Sequence, residues 1–372
     1  MPIYLDRHDA SEDITAEHVA KMHQLDMQYQ HEYGCKGFTY WFDDKRKAAF
    51  CLIEAPDKES IKKMHHHAHG DVPSQIIEVD EGLVNSFLGR LDDPCKIGDE
   101  ELIISEPAFR IIMVSDIKIS SLLKRQHNGD DLQGFKNKIP HVIKRHQGNL
   151  VSKKQNQYLY SFVSVSNALH CAIELQQEFE KFAGHSIDSG LHLKIGLNSG
   201  NPVTEKEHIF EETIALAEIM CAIGKGIIII SSEVKSLALN ENFKLSSDKK
   251  QIHTLDPAEE LFLVQLMEYM EGSFQQPNLK IDDLCLNLGL SKSNLYRKMK
   301  MIAGKSPNAF IKDYRLEKAL ELLSVQKGNI SEIAFETGFN SPAYFSKCFI
   351  EGFGMLPSSY SKMIANPSLS LP

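Results

Sequence analysis

The chain has 372 residues, 42% hydrophobic and 24% charged, with a formal net charge of −9. That length predicts two or three domains of ordinary globular composition. No apolar run is long enough to span a membrane, and the opening MPIYLDRHD reads as a strand, not as a signal peptide. The seven cysteines (Cys35, Cys51, Cys95, Cys171, Cys221, Cys285 and Cys348) are odd in number and lack a CxxC pair, which predicts a reducing cytoplasm and no disulfide framework. A P-loop, a nucleophile elbow, zinc-ribbon spacing and solenoid repeats are all absent from the sequence.

Residues 1–82 read as strand, helix, strand, strand, helix, strand, the ferredoxin-like α+β order. PIYLDRH alternates, Thr15 to Tyr33 is helical up to Gly34, FTYWFD and AAFCLIEA flank a turn, and Pro56 to His69 form a second helix. Eight of the 16 histidines fall before Gly70. His65 and His69, at i and i+4, stand one turn apart on the face that carries Ile61, while His66 and His67 point elsewhere. His23 and Asp26 share a face of the first helix, and His8 ends the first strand. Paired imidazoles at this spacing can chelate a divalent transition metal; the alternatives are satisfied core histidines, or a module that only dimerises.

YLDRH, HQLD, YGCKGFTYWFD, FCLIEAPD and HHHAHG resemble a family of small bacterial ferredoxin-like domains described as nickel-binding or nickel-responsive. The resemblance implies a metal- or ligand-sensing domain, with nickel or a similar ion as cofactor and effector. The candidate ligands are His8, His23, Asp26, His65 and His69, with Cys51 as a softer donor. Imidazole must be neutral to ligate, so binding is expected to weaken below about pH 6.

Residues 83–106 mix acids, Gly and Pro and are expected to form a linker with one short helix. FRIIMVSDIKISSLLKR then opens an α/β unit over 107–240. This segment, with RHQGNLVSKKQNQYLYSF, LHLKIGLNSGNPV and ETIALAEIMCAIGKGIIIISSEV, resembles the class III nucleotide cyclases. That chemistry needs two carboxylates on two metal ions and an Asn–Arg pair at the transferring phosphate. The first carboxylate is Asp116; the second position is Asn156, and the Asn and Arg positions are Ile214 and Glu218. A cyclase-like scaffold without catalysis is the implied outcome, used for pairing or for holding a ligand. Residues 241–257 read as a second linker.

Residues 258–364 carry the same punctuation twice. IDDLCLNLGLSKSNLYRKMKMIAG and ISEIAFETGFNSPAYFSKCFIEGFG each give a helix, a Gly turn (Gly289, Gly338), a helix-starting Ser (Ser291, Ser341) and a second helix ending in Gly. FIKDYRLEKALELLS joins them as one helix. With GKSPNAFI, RLEKALELL, YFSKCF and GMLPSSY, the region resembles the AraC/XylS transcription regulators, apart from Leu356 and Ser361. The resemblance implies an all-α double helix-turn-helix domain that binds double-stranded DNA, in a multidomain homodimer without membrane contact. Lys292, Ser293, Asn294, Tyr296, Arg297 and Lys300 are expected to face DNA from the first reading helix, and Pro342, Ala343, Ser346 and Lys347 from the second. Six bases and no acid lie between Ser291 and Lys312, a phosphate-facing stripe. Residues 365–372 read as a disordered tail. The expected function is a sequence-specific transcription regulator without enzymatic activity; the alternative is a cyclase-type enzyme carrying a DNA-binding domain.

Overall fold

The computed structural model describes residues 1–94, 102–119, 129–154, 156–183, 191–224, 226–243 and 252–365. The N-terminal sheet contains β1 (Ile3–Asp9), β2 (Lys36–Asp43), β3 (Ala48–Glu54) and β4 (Gln75–Val79) in the antiparallel order β2-β3-β1-β4. The helices α1 (Ala16–Tyr29) and α2 (Lys58–Ala68) complete the expected ferredoxin-like unit. Asp57 caps α2 by accepting from the Ser60 N–H. Alternation along the strands separates two faces. Tyr4, Tyr40, Phe42 and Ile53 pack with Ile61 and Met64 of α2, whereas Leu5, Trp41, Phe50, Leu52 and Ile77 turn the other way.

The middle domain repeats the βαββαβ order in β5 (Arg110–Ile119), α4 (Gly129–Arg145), β6 (Asn149–Lys154), β7 (Gln157–Phe162), α5 (Val165–Ala183) and β8 (Leu191–Gly200). α6 (Glu211–Ile223), β9 (Ile228–Ile230), α7 (Ser232–Asn240) and β10 (Ile252–Thr254) extend the sheet to β10-β9-β8-β5-β7-β6. The outward face of the N-terminal sheet shares one core with Ile112 and Val114 of β5 and Ala217 of α6. Gly196 on β8 permits this packing of α6, since a Cβ there would lie 2.3 Å from the Ala217 carbonyl oxygen.

Both expected linkers prove partly structured. Residues 81–88 form α3 (Glu81–Leu88), because Val84, Phe87 and Leu88 share an apolar side and bury it in the joint core. Near the end of the second linker, β10 pairs in parallel with β9 and Leu255 is buried. Residues 366–372 of the expected tail lie outside the described residues.

The C-terminal domain comprises α8 (Pro257–Ser273), α9 (Ile281–Asn287), α10 (Lys292–Ala303), α11 (Pro307–Ser324), α12 (Ile330–Glu336), α13 (Pro342–Phe353) and α14 (Pro357–Ala365). Asp256 and Glu259 form a capping box at α8, and Pro257 occupies its first turn. Phe262, Leu263, Leu266 and Met270 of α8 join Ile219, Met220 and Ile223 of α6 to Leu284, Leu295 and Met299 in a single core. The middle domain and the first helix-turn-helix unit therefore share their interior. The second unit closes around its own core of Phe345, Cys348 and Phe349 with Leu316, Ala319 and Leu323 of α11.

Arg110, at 2% exposure, ties α3 to β5. It donates to the carbonyls of Phe87 (2.9 Å), Leu88 (3.1 Å), Pro107 (2.6 Å) and Phe109 (3.0 Å). Its loss would take the donor from the Leu88 carbonyl at the C-terminal end of α3, while the Phe87 carbonyl would keep the Ser161 hydroxyl at 2.9 Å. Arg110→Ala is expected to cost roughly 3 kcal/mol or more of folding stability, read by urea denaturation. A change below about 1 kcal/mol would show that these carbonyls find other donors.

Candidate metal centre and nucleic-acid interface

The period of two along β1 puts Asp6 and His8 on the helix-covered face of the N-terminal sheet, and β3 brings Cys51 beside them. α1 supplies Asp26, while α2 and its C-cap supply His65 and His69. Two groups of donors result, Asp6/His8/Cys51 and Asp26/His65/His69. In the second group, His65 Nδ1 lies 3.0 Å from Asp26 Oδ1, His69 Nε2 lies 3.1 Å from the same oxygen, and the two nitrogens are 3.1 Å apart. Donors about 2.1 Å from one ion at right angles to each other stand about 3.0 Å apart, so this triangle suits one face of an octahedral ion. Asp26 Oδ1 is buried between these two ring nitrogens. A buried carboxylate oxygen flanked by two imidazoles is a donor set that fits a cation site.

The supporting contacts orient these donors. His65 Nε2 is 2.9 Å from Asp6 Oδ2, the carboxylate–histidine pairing that directs the other ring nitrogen at a metal. Asp6 Oδ1 accepts the Cys51 N–H at 2.9 Å, and His8 Nδ1 pairs with Asp71 Oδ2 at 2.8 Å. Burial opposes charge on His8 and His65. The carboxylates of Asp6 and Asp71 overcome it at His8, pushing that imidazole up to about 10. Asp26 and Asp6 raise His65 to about 9. Asp6 is itself buried, yet His8 and His65 hold it far below the usual carboxylate range. Asp6, His8 and Cys51 are also the residue types of a cysteine nucleophile with its base. The Cys51 thiol, however, is pushed well up by burial and by Asp6 and Asp26, whereas a nucleophile requires the thiolate.

Of the six expected ligands, His8, Asp26, Cys51, His65 and His69 enter the two groups. His23 does not: its Nε2 lies 3.3 Å from Asp93 Oδ2, supplied by the segment after α3. Asp6 and Asp71 were not anticipated. His66 and His67 are exposed, and His67 meets the Tyr33 hydroxyl.

At the other end of the molecule, Ser291 and Ser341 cap α10 and α13 by accepting from the Asn294 and Tyr344 N–H groups. Gly338, at φ +80°, is required in the second turn because a Cβ would meet the Phe274 carbonyl at 2.3 Å. Lys292, Ser293, Asn294, Tyr296, Arg297 and Lys300 are exposed on α10, as are Ala343 and Lys347 on α13; Pro342 and Ser346 are half-buried. Tyr344, 56% exposed, was not anticipated. Aligned on the capping serines, it occupies the position of Asn294. The expected basic stripe is divided. Lys298 lies over the Phe262 ring at 5.1 Å, Lys292 pairs with Asp282 at 2.7 Å, and Lys305 pairs with Asp313.

Residues 284–363 match the family model described as a helix-turn-helix domain. A Bacillus subtilis protein described as an uncharacterized HTH-type transcriptional regulator, YdeC, is 30% identical over 129 residues, 35% of this chain and 42% of that protein. The C-terminal region is an AraC-type DNA-binding domain. A transcriptional regulator with an AraC-type domain from Chromobacterium violaceum is 27% identical, over 30% of this chain and 97% of that one, with a TM-score of 0.28. Residues 4–79 match the family "Nickel responsive protein SCO4226-like". An adenylate/guanylate cyclase/hydrolase structure from Silicibacter pomeroyi is 24% identical, covering 36% of this chain and 80% of that one, with a TM-score of 0.32. The chain spans less than half the length of the curated relatives that its AraC-type domain matches.

The charge network moves the expected pH window. His69 Nδ1 accepts the Asp71 N–H at 3.2 Å, which places the proton of a neutral His69 ring on Nε2, inside the triangle. Ligation through Nε2 requires that proton to move to Nδ1, and an ion must displace to solvent the proton that the carboxylates hold on His65. Metal affinity is therefore expected to keep rising from pH 6 to about 9, where free imidazole would already have levelled off. Calorimetry at pH 7.5 in buffers of different ionisation enthalpy should register release of about one proton or more per ion. Binding without proton release would contradict this account.

Proposed function

We propose that this chain is a cytoplasmic, homodimeric transcription regulator that binds double-stranded DNA through its AraC-type domain and takes a divalent transition metal as effector at its N-terminal domain. The observation that carries the DNA reading is the pair of capped, exposed reading helices, α10 and α13, joined by the single helix α11. Rigidly joined units can place their reading helices in successive major grooves, about 34 Å apart. Asp26, His65 and His69 would hold the metal, with Asp6 keeping the His65 ring in place. Bound there, a divalent cation would supply positive charge between α1 and α2 and draw their donors together. Two imidazole nitrogens with a carboxylate oxygen suit nickel, cobalt, iron or zinc.

Arg297 is the residue best suited to guanine, through bidentate bonds to O6 and N7, while Lys300 suits a phosphate. In titrations on an operator defined by footprinting, Arg297→Ala should cost roughly 1–3 kcal/mol and relax preference at one base pair. Lys300→Ala should weaken all sequences alike and lower the salt slope by about one. Equal losses on operator and random DNA for Arg297→Ala would refute the assignment.

The middle domain supports a non-catalytic reading. Asn156, at the position where the cyclase resemblance calls for a second metal carboxylate, accepts from Lys136 Nζ at 2.8 Å and donates to the Ile117 carbonyl at 3.2 Å. An ammonium already sits against this amide. Glu218 lines the cleft with Asp116 and Asn156, and burial raises its carboxyl. Incubation with ATP or GTP and manganese should give no cyclic nucleotide, and Asn156→Asp should remain silent because the new carboxylate would pair with Lys136. Product from the wild-type chain would favour the cyclase reading instead.

A further inference from the structure

We infer that Asp6, His8 and Cys51 form a second, softer metal compartment, joined to the Asp26/His65/His69 triangle through the Asp6–His65 contact. This inference rests on the proposed metal reading of the N-terminal domain.

All three side chains are buried, Asp6 completely, with His8 at 7% and Cys51 at 8% exposure. Their donor atoms lie within 4.8 Å of one another. His8 shows the orientation expected of a ligand. Its Nδ1 is engaged by Asp71 at 2.8 Å, whereas its Nε2 is buried without a hydrogen bond, 3.6 Å from Asp6 Oδ1. A ring held by a carboxylate on one nitrogen, with the other left over in a closed pocket, is how a ligating histidine is prepared. Nε2 has the Asp6 carboxylate as an ion-pair neighbour but makes no hydrogen bond, and a buried nitrogen without one costs free energy.

Asp6 joins the compartments through its two oxygens. Oδ2 meets His65 Nε2 at 2.9 Å, and His65 Nδ1 is a corner of the triangle. Oδ1 faces His8 and the Cys51 N–H. The two groups thus adjoin and share a carboxylate–imidazole unit, in which Asp6 can orient His65 while lending Oδ1 to a second ion. Sulfur in the donor set selects cobalt, nickel, zinc or copper over magnesium and manganese. On binding, the Cys51 thiol gives up its proton to solvent and forms a metal–thiolate bond; no electron is transferred.

Cobalt(II) is the probe, because it reports both number and ligand type. The full chain should take up two cobalt ions in equilibrium dialysis with elemental analysis, and thiolate-to-cobalt charge-transfer absorption should accompany one of them. Cys51→Ser should lose that absorption and one equivalent. His69→Ala should lose the other equivalent and keep the absorption. A single equivalent without charge-transfer absorption overturns the second compartment and leaves the triangle standing, and absorption that survives Cys51→Ser assigns the sulfur elsewhere. No cobalt uptake at all overturns the metal reading itself. The wild-type stoichiometry and spectrum decide the matter even if a variant fails to fold, and Cys51→Ala offers a second, smaller replacement.

Discussion

The two-residue alternation of β1 is the constraint on which the upper half of the molecule depends. Asp6 and His8 leave one face of the strand and enter the donor cluster, while Leu5 leaves the other and enters the core shared with the middle domain. Arg7, between Asp6 and His8, reaches the Val203 carbonyl of the middle domain at 3.3 Å and lines a cleft of about 1500 Å³. A shift of register by one residue would exchange these roles and bury Arg7 among the helices. The same seven residues therefore border the proposed effector site and the neighbouring domain. A change in the position of β1 is felt on both sides.

The lower half is organised by α8 and α11. α8 contributes to a core that joins α6 of the middle domain to α10. α11 places Ile311 and Tyr314 in that core and Leu316, Ala319 and Leu323 in the core of the second unit. Its Arg315 donates to the Phe274 and Gln276 carbonyls just past α8, next to Gly338. The first helix-turn-helix unit is thus continuous with the body of the protein, and the second is attached through α11 and the close approach of Gly338 to the Phe274 carbonyl. The cleft between α6 and α11 carries carboxylates on both walls, among them Glu211 and Glu212 opposite Glu317 and Glu321.

Much of this was legible in the sequence where a short period fixes a direction. Helical spacing put His65 and His69 together, and the paired Gly–Ser punctuation located both reading helices. Asp6 could have been read from the alternation in YLDRH, which sets it on the face of His8. Asp71 could not, because it follows the end of α2 in a turn without a period. His23 lies on the helix face that the sequence indicates, one turn from Asp26, but Asp93 from a distant segment meets its ring. Lys298 was assigned to the basic stripe from its charge. The helical period instead places it beside Leu295, Met299 and Ile302, and it lies over Phe262. Pairings set by chain segments of no fixed geometry were the ones that sequence reasoning could not supply.

The interior shared by α6, α8 and α10 has a consequence for how the protein would be arranged along a chromosome. An output domain on a flexible tether lets its sensor swing around the duplex, so that the spacing between neighbouring sites matters little. Here the first reading helix and the middle domain share one core, so docking α10 in a groove would fix the compass direction in which the N-terminal domain projects. Moving a site by about five base pairs, half a helical turn, would carry the N-terminal domain to the opposite side of the double helix. Partnership between two copies, or with a neighbouring protein on the same DNA, would then depend on angular phase as strongly as on distance.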